Sequence, residues 1–151
     1  DKWYCSKCKD HVRALKKIQI YRTPEYLIVH LKRFSHRAGT FFGGSRKIST
    51  HIDFPMKSLN MTPYLVEVQN ERMNGASETK QYIYDLYAVS NHYGSMNGGH
   101  YTAYCVNPIY NRWFEFDDES VSYISKANNQ DVINQTVVNK AAYVLFYKLR
   151  K

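Results

Sequence analysis

Asn91-His92-Tyr93-Gly94-Ser95-Met96-Asn97-Gly98-Gly99-His100-Tyr101-Thr102-Ala103-Tyr104, followed by Trp113-Phe114-Glu115-Phe116-Asp117-Asp118, decides how this chain is read. Both stretches are rich in aromatic and small or β-branched side chains, which pack well on a pleated, half-buried surface, so residues 100–106 and 112–116 are expected to be strands. Asn107-Pro108 marks a turn between them. The resulting hairpin brings His100 and Asp117 to the same end. A glycine-bearing loop delivers His100 to the first position of its strand, and Gly98 and Gly99, without Cβ atoms, let an extended backbone lie close against the chain. A carboxylate bonded to one imidazole nitrogen fixes the tautomer and leaves the other nitrogen as a general base. His100 and Asp117 therefore read as two members of a catalytic triad. The third, a serine or cysteine nucleophile, is not supplied. Cys105 is the sole cysteine outside the N-terminal pair, and five residues along a strand place it roughly 17 Å from His100 and on the opposite face. It reads as a small buried hydrophobe.

Outward from this hairpin, residues 82–89, 121–124 and 141–148 carry strand signals. Residues 12–21 and 26–34 read as an antiparallel pair around Arg22-Thr23-Pro24-Glu25. Residues 35–47, with Gly39, Gly43 and Gly44, read as a mobile loop before a short strand near Ile48, and the polar stretch 69–81 as an exposed insertion. Only residues 128–138 look helical, with Val132, Ile133 and Val137 able to share a face and Asn128 or Asn129 available as a cap. The expectation is a β-rich domain with one short helix and no internal repeat.

At 151 residues and 44% hydrophobic content the chain suits one domain with a core. Its net charge of +8 is uneven, with 12 Lys/Arg against 3 Asp/Glu in residues 1–50 and 9 against 10 in the remainder. A basic patch is the footprint of a nucleic-acid binder, but these cations lie mainly on the outward alternation of strand-like runs, which fits a solvated face. No apolar run approaches the ~18 residues of a membrane span, and no signal-peptide pattern opens the chain. The domain is expected to be soluble and away from membranes. Three cysteines, two of them spaced C-x-x-C, fit a reducing compartment, cytosol or nucleus, rather than a disulfide framework.

Cys5 and Cys8 can place two thiolates on one knuckle facing a tetrahedral zinc. Zinc takes four ligands, and His11, the nearest further candidate, makes only three. The pair reads either as half of a zinc ribbon completed by residues outside the chain or as idle or redox-active thiols. Because the chain opens almost directly on this motif, a cut inside a larger domain is expected.

The ordered set WYCSKC, PEYLIVHLKRF, YDLYAVSNHYG, GGHYTAY, RWFEFDDESV and AAYVLFY resembles the C-terminal half of the ubiquitin-specific protease catalytic domain. It is most similar to the subgroup with DUSP and ubiquitin-like domains, where a long insertion divides the catalytic domain. The resemblance implies the papain-like α/β class of fold, here as the antiparallel palm (82–149) with finger strands and a half zinc knuckle (1–34), and without the thumb. It implies that His100 is the catalytic base, Asp117 the residue that orients it and Asp118 a supporting carboxylate. The segment Tyr93 to Gly99, with His92 at its start and Tyr101 just beyond, matches the one that closes over the C-terminal tail of ubiquitin, which marks His92, Tyr93, Gly98, Gly99 and Tyr101 as substrate-binding. Cys5 and Cys8 match the second zinc knuckle, a structural site. The implied partners are ubiquitin, ubiquitinated proteins and the cysteine-bearing N-terminal half of the same catalytic domain. Without the cysteine box the chain alone is expected to be inactive. Residues 126–140 read as longer than in the nearest subgroup. Two rivals from other classes are a non-catalytic ubiquitin-binding scaffold and a zinc-ribbon nucleic-acid binder, both of which leave the pairing of His100 with Asp117 unexplained.

Overall fold

The computed structural model describes residues 2–35, 46–75, 79–95 and 97–151. In chain order the elements are β1 (Trp3–Cys5), β2 (Asp10–Val12), β3 (Tyr26–His30), β4 (Phe34–Ser35), β5 (Arg46–Lys47), β6 (Leu59–Asn60), a 3-10 turn (Thr62–Tyr64) and α1 (Val66–Met73). Then follow β7 (Ile83–Ser95), β8 (Gly98–Asn107), β9 (Arg112–Asp117), β10 (Ser120–Tyr123), α2 (Gln130–Val137) and β11 (Ala142–Leu149). The principal sheet runs β10-β9-β8-β7-β11-β3, with β6 also on β7, and every pairing in it is antiparallel. The α+β class is as expected, and no described helix is long and apolar enough to cross a membrane.

β7 organises the sheet. Tyr84 and Leu86 point inward, and after a register shift against β11 near Tyr87 the inward phase moves to Val89 and Asn91. An extra residue in a strand inverts its alternation, so a single strand keeps both halves of its apolar side on the core. Tyr84, Leu86 and Val89 join Tyr104, Trp113, Leu145 and Tyr147 with Leu65 and Val68 from the α1 region and Ile133 and Val137 from α2. Burying each large apolar side chain contributes roughly 1.5–3 kcal/mol. α2 is capped as the sequence predicts, since Asn129 Oδ1 accepts the Asp131 and Val132 N–H groups at 2.9 and 3.2 Å. Residues 126–140 include α2 and carry two fully buried core side chains, Ile133 and Val137.

Several local expectations are corrected. Residues 12–21 form no strand beyond Val12, apart from an isolated bridge at Ile20, and do not pair with residues 26–34. β3 pairs instead with β11, from Val144↔His30 to Lys148↔Tyr26, so it edges the principal sheet rather than joining the β1–β2 hairpin. The start of the supposed insertion 69–81 belongs to α1, a second helix, anchored by Val68 at 1% exposure. Within Tyr93 to Gly99, expected to be a loop, the described residues form the paired end of the β7–β8 hairpin, with Tyr93↔His100, Gly94↔Gly99 and Ser95↔Gly98. The expectation of a mobile loop over 35–47 falls largely outside the described residues, and those that are described hold β4 against β5.

Candidate active site

β8 and β9 pair from Ala103↔Phe116 to Asn107↔Arg112, which places Asp117 one step beyond the last pair and diagonal to His100. Both side chains extend from the face that, further along β8, carries the buried Thr102 and Tyr104. There His100 Nε2 donates to Asp117 Oδ1. Both side chains are about half exposed, 47% and 50%, so the pair is open to an approaching group. The hydrogen bond to Asp117, reinforced by the charges of Asp117 and Asp118, raises the His100 pKa above its ordinary value. Asp118 opens the tight turn between β9 and β10 with φ of +49°, a left-handed conformation that Asp tolerates better than most residues. Its carboxylate comes within 4.8 Å of the ligand atoms of His100 and Asp117.

None of the cysteines shares this place. Cys105 pairs with Ala88 and Phe114 in the interior of the sheet, at odd offset from His100, and burial raises its thiol pKa. Desolvation keeps it a poor nucleophile. Cys5 and Cys8 lie on the separate β1–β2 hairpin. The backbone N–H groups of Cys8 and Lys7, followed by the Cys8 side chain, lower the Cys5 pKa. The turn is tight, with Lys9 N–H donating to Cys5 O at 2.8 Å and Lys9 at φ +53°. A thiolate-stabilising turn between two cysteines fits half of a tetrahedral zinc site.

The residues expected to touch substrate divide into two groups. Tyr93, Gly98, Gly99 and Tyr101 are exposed around the hairpin end. His92 is not. At 4% exposure its ring lies among Phe34, Tyr101 and Tyr143, with centroids 5.3, 4.7 and 6.1 Å away. The structure thus encloses the His92 side chain in an aromatic cage, while the other four residues expected at the substrate stand exposed. Burial first, then the Lys47 charge, lowers its pKa.

Two supporting cations went unread in the sequence. Arg33, 3% exposed, donates from Nε to Ala142 O at 2.6 Å and from Nη1 to Ile48 O and Thr50 O at 3.0 and 2.8 Å. Lys47 Nζ donates to His92 O at 2.6 Å. Together they tie residues 46–50 and the start of β11 to the root of the hairpin. In sequence both look like outward basic residues of a solvated face, and the carbonyls that hold them are too distant along the chain to give a local signal.

A sequence profile described as "Ubiquitin carboxyl-terminal hydrolase" matches residues 1–147. Among curated proteins, mouse "Ubiquitin carboxyl-terminal hydrolase 4" is 42% identical over 150 residues, covering 99% of this chain and 13% of that protein. Arabidopsis thaliana "Ubiquitin carboxyl-terminal hydrolase 8" is 44% identical over 148 residues, covering 98% and 15%. This chain thus spans less than a sixth of the length of either. Among solved structures, a SAGA Ubp8/Sgf11/Sus1/Sgf73 DUB module bound to ubiquitin aldehyde superposes with a TM-score of 0.75 at 33% identity, over 100% of this chain and 30% of that one. With the profile running over nearly its whole length and relatives above 40% identical, the chain belongs to the ubiquitin carboxyl-terminal hydrolase family.

Proposed function

We propose that this chain carries the general base and its orienting carboxylate for a thiol-dependent deubiquitinating hydrolase, which cleaves the bond after the C-terminal glycine of ubiquitin. A cysteine from outside the chain completes the site. The observation that carries this reading is the His100–Asp117 hydrogen bond through Nε2, on a face where the chain has no thiol of its own. Nδ1 is then the nitrogen left to meet a nucleophile. Family membership and the likeness to a DUB module bound to ubiquitin aldehyde support ubiquitin as the substrate, with ubiquitinated proteins and the cysteine-bearing half of the catalytic domain as partners.

In this mechanism His100 Nδ1 takes the thiol proton, and the sulfur adds to the glycine carbonyl carbon. Asp117 stabilises the imidazolium and Asp118 adds negative charge beside it. As the tetrahedral adduct collapses, the C–N bond breaks and His100 returns its proton to the departing lysine amine. Water, deprotonated by the same nitrogen, then attacks the thioester, releasing the ubiquitin carboxylate and regenerating the thiol. Oxyanion donors come from the partner segment. Tyr93, Gly98, Gly99 and Tyr101 flank the path of the ubiquitin tail. Cys5 and Cys8 supply two ligands of a structural zinc, which when bound would fasten the β1–β2 hairpin to the element bearing the other two. A reduced thiol nucleophile and zinc thiolates suit the cytosol or nucleus.

The test uses a fluorogenic conjugate of the ubiquitin C-terminus. The chain alone is expected to be inert, whereas co-expression with the cysteine-bearing segment of its parent protein restores hydrolysis, and His100→Ala abolishes it again. Hydrolysis by the isolated chain, or full rate with His100→Ala, would defeat the proposal. A ubiquitin-binding scaffold without catalysis is the second reading, since the exposed hairpin end can touch ubiquitin without cutting it. An intact cysteine box upstream in the parent protein excludes it.

A further inference from the structure

We infer that His92 is a positioning residue: its ring, wedged behind Gly99 from the face opposite His100, sets the height at which the hairpin end presents His100 to Asp117. The inference rests on the proposed role of His100 and adds to it.

The hairpin end needs such a support. β11 accompanies β7 no further than Asn91, and β9 accompanies β8 no further than Ala103. Beyond His92, whose backbone is still tied to Ala141, the pairs from Tyr93↔His100 to Ser95↔Gly98 have no third strand beside them. What fixes their position must act from below. The His92 ring does so, because a Cβ placed on Gly99 would collide with His92 Nε2 and Tyr93 O. The strand therefore rests directly on the imidazole edge. On the other side the ring is backed by Phe34, Tyr101 and Tyr143.

Its backbone is held just as firmly. His92 N–H donates to Ala141 O at 2.8 Å, and Lys47 Nζ reaches His92 O at 2.6 Å. Arg33 locks the neighbouring Ala142 O and the 48–50 backbone. Meanwhile His92 Nδ1 is buried with no hydrogen-bond partner among the described residues. An orphaned buried nitrogen opposes folding, so polarity does not explain a histidine here, whereas a flat, rigid, five-membered ring of limited reach under a glycine strand does. Gly99 and His92 are then one device, a strand without a side chain resting on a ring.

The readout is the histidine ring resonances of this 151-residue chain, titrated by NMR. In the wild type, His100 should titrate above the ordinary histidine range. In His92→Ala, with amide dispersion confirming the fold, the His100 proton-binding constant should fall by at least about threefold as the Asp117 contact loosens. Lys47→Met, which removes one backbone tie and leaves the core intact, should shift it in the same direction, and it decides the matter alone if His92→Ala does not fold. A raised His100 titration that both folded variants leave unchanged overturns the positioning role while the catalytic reading stands. Ordinary titration of His100 in the wild type overturns both.

Discussion

Gly98 and Gly99 are adjacent, both exposed, and both belong to the motif that precedes His100, yet alanine should affect them very differently. A Cβ on Gly98 meets nothing within 4 Å, whereas one on Gly99 runs into Tyr93 O and His92 Nε2 and comes within 3.0 Å of His92 Cε1. Two responses are open to Gly99→Ala. If the strands hold, the overlap costs about 1–3 kcal/mol, as overpacking generally does. If the end unzips, the outer pairs from Tyr93↔His100 to Ser95↔Gly98 are lost, at roughly 0.5–1.5 kcal/mol net for each hydrogen bond given up. The two estimates overlap, so the loss should be about 1–3 kcal/mol by either route. For a chain of this size, each kcal/mol corresponds to about 2–4 °C in melting temperature. Thermal unfolding should therefore fall by several degrees for Gly99→Ala. Gly98→Ala should remain within about 0.5 kcal/mol of wild type, like other surface changes. The reconstituted hydrolase sharpens the contrast. Gly98→Ala would raise KM if the substrate backbone lies against it, while Gly99→Ala would lower kcat by displacing His100. Equal melting temperatures for the two variants would refute the steric reasoning, as would Gly99→Ala with native His100 titration.

Two further perturbations probe the electrostatics and the clamp. Because the His100 pKa is raised in the fold, its pairing with Asp117 contributes stability that is fully present below pH 6.5 and is lost as pH rises through the raised value. His92, whose pKa is lowered by burial, acts oppositely, favouring the unfolded chain as pH falls below 6.5. Asp117→Asn should remove the first dependence and leave the second, and urea unfolding midpoints that show the same pH profile for both proteins would contradict this. Arg33→Ala strands three carbonyls that now accept from its guanidinium at 2.6–3.0 Å. It should cost about 2–4 kcal/mol, since bonds to a charged donor are worth about 1.5–3 each and relief of the buried charge offsets part of the loss. A midpoint change equivalent to less than about 1 kcal/mol would show that water replaces the guanidinium.

The strongly alternating second half was legible because its side chains report their own environment. Residues 82–89, 100–106, 112–116, 121–124 and 141–148 all fall within or against observed strands, and the turn at Asn107 follows from its side chain accepting the Ile109 and Tyr110 N–H groups. The first half was legible only in part: residues 26–30 form β3 as expected, but residues 13–19 do not form the expected strand. Residues 13–19 have the apolar content of a strand but no described strand partner, and Leu15 and Ile18 stand 99% and 84% exposed. Strand propensity describes fitness for a pleated surface and does not create one. Conversely, α1 has a poor helical signal, with a single fully buried residue in Val68, and tertiary packing beside Leu65 holds it. Pairing order was also beyond local signals: β3 joins β11 across the sequence, where a hairpin with its predecessor was the simpler expectation.

The same contrast runs through the site. His100 and Asp117 could be paired from sequence because one hairpin fixes both, and a two-residue periodicity decides which side chains share a face. His92 could not, because its burial depends on Phe34 and Tyr143, which are 58 and 51 positions away and arrive by way of β4 and β11. The choice of ring nitrogen is also a structural result. Nε2 engages the carboxylate, so the proton-accepting lone pair lies on Nδ1, close to the backbone of β8. A nitrogen so near its own strand serves a nucleophile only if that group approaches along the strand's open edge. The edge is open beyond Ala103, where β9 stops accompanying β8. The early end of β9 that leaves the hairpin without a third strand thus also leaves room for the thiol proposed beside His100, so the proposed support by His92 and the proposed approach of the nucleophile share one structural cause.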